Sequence, residues 1–99
     1  MYDLKNIETH ESRNGYSMKA TLLINNIEVC TMRDEGDGSM PAFDIHDPKA
    51  YNKIIADLEK LPVAFVTEYD SEVKIDLCIF IDLLNYALET KTEFKLLAA

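Results

Sequence analysis

The stretch from Tyr16 to Val29 constrains the fold more than any other part of the chain. Tyr16, Met18, Ala20, Leu22 and Ile24 recur at a period of two, with Ser17, Lys19, Thr21 and Leu23 between them, the signature of a half-buried strand. Asn25-Asn26 interrupts the pattern, and Ile27 and Val29 resume it. Asparagine tolerates positive φ, so the pair predicts a two-residue hairpin turn. An unbroken register then pairs Ile24 with Ile27, Leu22 with Val29 and Ala20 with Thr31. Leu22, Ile24, Ile27 and Val29 share the dry face, while Leu23 opposite Glu28 and Thr21 opposite Cys30 occupy the wetter one.

Around this hairpin (16–33) the pattern predicts an α+β fold in a single domain, 1–99. A first strand is expected over Leu4 to His10, followed by a turn at Asn14-Gly15. Met40 to Ile45 is expected as a further strand with Phe43 and Ile45 inward, Pro41 marking its start or an edge. Asp47-Pro48 is a helix start, with Asp as N-cap and Pro in the first turn. Tyr51, Ile54, Ile55 and Leu58 share one face of a helix over about 48–60, which Pro62 ends. Val63 to Asp70 reads equally as strand or packed loop. Val73 to Leu83 alternates like a strand, yet Leu77, Phe80, Ile81, Leu84 and Leu88 have helical spacing. We read a second helix over about 76–95, capped by Asp76. The expected architecture is an antiparallel sheet of about three strands covered by these two helices. Met18, Met32 and Met40 are expected as core fillers.

The chemistry-bearing residues match no complete catalytic or metal motif. No phosphate-binding glycine loop and no GxSxG elbow occurs. Setting Asp37-Gly38 at the fifth and sixth places of a calcium loop puts Arg33 first. Starting at Asp34 instead puts Gly36 and Gly38 on ligand positions. His46 between Asp44 and Asp47 is a general-base candidate, but reads better as a polar corner between strand and helix; His10 has less around it. Cys30 and Cys78 lie in apolar stretches without CxxC or Cys/His spacing, so inert thiols are expected rather than a zinc site, a disulfide or a nucleophile. No metal and no cofactor is expected.

Charge speaks to partners. Eighteen acidic against ten basic residues give a net charge of −8, which disfavours nucleic acid and anionic lipid and favours a basic protein surface. The acidic stretch supplies Glu28, Asp34, Glu35, Asp37, Asp44 and Asp47 as candidate partner-binding residues. No apolar run is long enough to span a membrane, and the N-terminus does not read as a signal peptide, so a cytoplasmic setting is expected. The second helix is apolar on more than one face. Ile79, Leu83 and Tyr86 are therefore candidates for a homodimer seam.

Gly15-Tyr16, Ala20-Thr21-Leu22, the Asn25-Asn26 hairpin, Asp34-Glu35-Gly36-Asp37-Gly38 and Ile81-Asp82-Leu83-Leu84 together resemble small phage and prophage proteins of uncharacterised function. The resemblance covers about residues 15 to 45 and 76 to 90. Asn25-Asn26 stands where that family usually carries Asp-Gly. What the resemblance implies is a phage accessory protein that acts in a bacterial host by binding and blocking a host protein, such as a nucleic-acid enzyme or an antiviral defence component. A homo-oligomeric structural module is the alternative, and a small enzyme or metal-dependent site around Asp34, Asp37, Asp44 and His46 the third reading.

Overall fold

The computed structural model describes residues 1–12, 15–36, 40–62, 64–66 and 71–91. It is an α+β fold. Strands β1 (Tyr2–Ser12), β2 (Gly15–Ile24), β3 (Ile27–Asp34) and β4 (Ala42–Ile45) form an antiparallel sheet in the order β1-β2-β3-β4. Helix α1 (Pro48–Glu59) follows, then a two-stranded sheet of β5 (Ala64–Val66) and β6 (Ser71–Val73), then helix α2 (Leu77–Thr90). The main sheet thus has one strand more than the expected three. Strand β5 falls in the stretch that reads as strand or packed loop, and β6, just beyond it, was not expected. Asn14 of the expected turn, Asp37 and residues 92–95 lie outside the described residues.

The β2–β3 hairpin turns where expected. Asn25 and Asn26 adopt φ of 51° and 67°, the pair of left-handed conformations that a tight hairpin turn needs. Leu22 and Val29 are both fully buried. The register, however, breaks after one step. Ile24 pairs with Ile27 and Leu23 with Glu28, but Leu22 then pairs with Cys30, Thr21 with Thr31 and Ala20 with Met32. Val29 is the extra residue of a β-bulge, which lets Val29 and Cys30, adjacent in sequence, both enter the core. Thr31 joins Thr21 on the outer face as its cross-strand partner. The expected partners of Leu22, Ala20 and Thr21 are corrected accordingly, and Cys30 leaves the wetter face. The Val29 carbonyl accepts hydrogen bonds from the His46 and Asp47 backbone N–H groups, at 2.9 and 3.1 Å. The bulge therefore fixes the corner from which α1 departs.

Both helix starts follow the sequence. The Asp47 side chain accepts from Ala50 N–H with Pro48 in the first turn, and the Asp76 side chain accepts from Ile79 N–H. At its far end α1 is tied from a distance. The Lys74 ammonium donates to the carbonyls of Leu58, Glu59 and Leu61, placing a cation where the helix dipole is negative. Helix α2 ends at Thr90, short of the expected 95. Lys91 takes a left-handed cap conformation, and the Thr90 hydroxyl donates back to the Tyr86 carbonyl at 2.8 Å.

One core joins these elements. Leu4, Met18, Ala20, Leu22, Val29, Cys30 and Met32 from the sheet pack against Ile54 and Leu58 of α1 and Leu77, Phe80, Ile81 and Leu84 of α2. Each fully buried large side chain contributes roughly 1.5–3 kcal/mol relative to exposure. Phe43 packs on this core, whereas Ile45 is half exposed at the sheet edge. Met18 and Met32 fill the core as expected; Met40 does not, and is 91% exposed.

Candidate partner-binding cleft

The acidic residues singled out in the sequence meet different fates. Glu28 is ion-paired to Lys5 at 2.8 Å, and the lysine holds its carboxyl below the usual range. Asp44 is ion-paired to Arg33 at 3.1 Å. Asp47 caps α1. These three carboxylates are engaged by cross-strand ion pairs and by a helix end. Glu35 is exposed.

Asp34 belongs to a different arrangement. One of its oxygens accepts from Gly36 N–H at 3.0 Å, forming a tight turn after β3. The other faces the Cys78 thiol at 3.9 Å. The turn brings Gly36 (φ +72°) against the start of β2, so closely that a Cβ on Gly36 would lie 2.1 Å from the Tyr16 carbonyl oxygen. Gly15 is in the reciprocal position, 2.2 Å from the Gly36 carbonyl oxygen by the same measure. Gly15-Tyr16, Asp34-Glu35-Gly36 and the first turns of α2, three segments far apart in sequence, thus meet at one place.

Where they meet there is a cleft of about 230 Å³ lined by Tyr16, Met18, Met32, Asp34, Cys78 and Asp82. Two of these six side chains are carboxylates and none is basic. Met18 and Met32 form an apolar floor, and Tyr16, 46% exposed, stands at the rim. The Cys78 thiol reports the local electrostatics. Burial pushes it up, and the carboxylates of Asp34, Asp76 and Asp82 push it further, to about 11. Cys30 also lies near 11, from burial alone. Neither thiol is primed as a nucleophile, since that requires a lowered value and an electropositive setting.

Asp76 and Asp82 were not among the sequence candidates for binding. Asp76 was legible only as a cap. Asp82 did carry a signal: it is the single charge in the run Leu77 to Leu84. A lone carboxylate in such a run marks the face that the helix turns away from the core.

On the outer sheet face the Thr21 and Thr31 hydroxyls are 2.9 Å apart, and Thr31 lies 2.7 Å from His46 Nε2. This hydrogen-bonded row ties β2, β3 and the corner before α1, and it floors an open cleft of about 590 Å³ shared with Glu8, Lys19 and Glu28. Among the described residues, no three His, Cys, Asp or Glu side chains are grouped to hold a metal ion, and no helix is long and apolar enough to cross a membrane. On α2, Ile79 and Leu83 pack against the core while Tyr86 is 49% exposed. Most of the helix's apolar surface is thereby already covered within the chain. No protein-family model, no curated protein and no solved structure matches this chain.

Proposed function

We propose that this is a non-enzymatic binding protein that engages a basic site on another protein, with the cleft between Tyr16, Asp34 and Asp82 receiving an arginine or lysine side chain. The observation that carries the reading is the cleft's lining: the Asp34 and Asp82 carboxylates, from two separate segments, share it with an apolar floor and with no cation among the described lining residues, and after burial these carboxylates and Asp76 add to the rise of the Cys78 thiol. An ammonium or guanidinium in the cleft relieves that repulsion. Its methylene stem would lie along Met18 and Met32, and its charged head against the Tyr16 ring face and the two carboxylates. The net charge of −8 adds long-range attraction towards a basic partner and repulsion from nucleic acid itself. A phage accessory protein that occupies the basic groove of a host nucleic-acid enzyme or defence component is the biological setting that this chemistry and the short-motif resemblance suit.

The test is a titration of isotope-labelled protein with a hexa-arginine peptide, followed by backbone NMR. Shifts are expected to centre on Tyr16, Asp34, Cys78 and Asp82. The affinity is expected to fall at least about tenfold as salt rises from about 50 to about 500 mM, and to weaken again in Asp34→Asn/Asp82→Asn. Shifts scattered over the whole surface, or an affinity indifferent to salt and to the double substitution, would overturn the proposal.

A further inference from the structure

Strand β1 forms one edge of the main sheet, with β2 as its neighbour. Its two halves differ. In the first, Leu4 is buried, its N–H is taken by the Asp3 carboxylate at 2.8 Å, and the Tyr2 ring meets Phe80 edge-on at 5.3 Å. The register then shifts between Lys5 and Glu8, where Asn6 takes a φ of 53°. Beyond that irregularity the strand is regular again: Glu8 pairs with Lys19, Thr9 with Met18, His10 with Ser17 and Glu11 with Tyr16. Ile7 to Glu11 are all exposed. An exposed edge strand of this length is a template for another strand.

The sequence of this half is complementary to itself. A two-fold axis perpendicular to the sheet keeps both helical layers on one side and places some residue opposite its own copy. Centring on Glu8 sets two carboxylates face to face, and centring on His10 sets two imidazoles face to face. Centring on Thr9 places Glu8 opposite His10 of the second copy, twice, with the two Thr9 side chains paired at the axis. Carboxylate–imidazole and Thr–Thr pairs each offer a side-chain hydrogen bond, a favourable cross-strand combination. Glu8 and His10 lie on the same face, and the ammonium nearest Glu8, on Lys19, is at 3.8 Å, leaving the carboxylate room for a second partner.

We propose that a second copy of this chain pairs with the Ile7–Glu11 edge of β1, antiparallel and centred on Thr9, joining two four-stranded sheets into one of eight. A ladder of five residues a side buries less than a standard interface, so the dimer belongs in the micromolar-to-millimolar range. The surface is distinct from the cleft and from α2.

Sedimentation equilibrium of the full chain from about 10 µM to about 1 mM reads the association. A monomer–dimer equilibrium is expected. Glu8→Lys should weaken it at least about tenfold, and adding His10→Glu should restore it to within about threefold, because a carboxylate then faces the introduced ammonium. Circular dichroism melts of each variant separate loss of pairing from loss of fold. If either variant fails to fold, Thr9→Cys replaces it: mild oxidation should link the copies through residue 9, and Ile7→Cys should not link. A monomer throughout the range, a dimer indifferent to Glu8→Lys, or a charge swap that does not restore association would overturn the proposal. So would a dimer abolished by Tyr86→Arg but unchanged by Glu8→Lys, which would place the interface on α2.

Discussion

A carboxylate in this chain is either engaged by the fold or left to act on its surroundings, and its nearest neighbours decide which. Asp47 and Asp76 bond the first turns of their helices, and Glu28 and Asp44 face cations across a strand boundary. Asp34 does two things at once, closing a turn through one oxygen and facing Cys78 with the other. The caps were legible in the sequence because they depend on neighbours three residues away. The ion pairs were not, because they depend on register. Asn85 is the opposite case, a polar side chain in the wrong place. It is 7% exposed, its Oδ1 has no partner, and its amide donates only weakly to Glu89 at 3.4 Å. An unpaired buried carbonyl costs more than an apolar group of the same shape. Asn85→Leu is therefore expected to stabilise the fold by about 1 kcal/mol, raising the melting temperature by roughly 4–8 °C; a fall in melting temperature would show that the amide has a structural role.

At the scale of elements, the hairpin turn and both helix starts could be read from local chemistry, whereas the bulge at Val29 could not. Val29-Cys30 is a pair of adjacent apolar residues, which a period-two reading forces onto opposite faces. Only the bulged register and the burial of both residues show that both go inward. The clamp of Lys74 on the last carbonyls of α1 is likewise invisible in sequence, since fifteen residues separate Lys74 from Glu59. The close approach of the Asp34–Gly36 turn to Gly15-Tyr16 was present in the sequence only as glycines in two places. Its demand is severe, because the atom in the way belongs to backbone and φ is positive. Gly36→Ala is expected to destabilise by at least about 1–2 kcal/mol and to disturb the amide resonances of Tyr16 and Cys78 together. A denaturant midpoint equal to that of the unsubstituted protein would mean that the turn and the start of β2 are not in contact.

For the whole molecule, fold class was accessible from patterning, but the site was accessible only in part. The acidic composition pointed towards a basic partner, yet the residues it nominated are mostly engaged elsewhere. The paired carboxylates of the cleft come together where a turn after β3 meets the first turns of α2. That juxtaposition is a property of the packed chain, with Asp34 and Asp82 far apart in sequence. Its most direct probe needs no partner. Alkylation of the folded protein across pH, read by mass spectrometry at the Cys78 peptide, reports the field in the cleft. The thiol is expected to react slowly at pH 8 and to titrate near 11, well above the ordinary 9.0. In Asp34→Asn/Asp82→Asn the midpoint should move down towards 9.0 without reaching it, because burial, the larger cause, remains. An unsubstituted Cys78 that titrates at the ordinary value, or a midpoint that ignores the loss of both carboxylates, would contradict the acidic cleft.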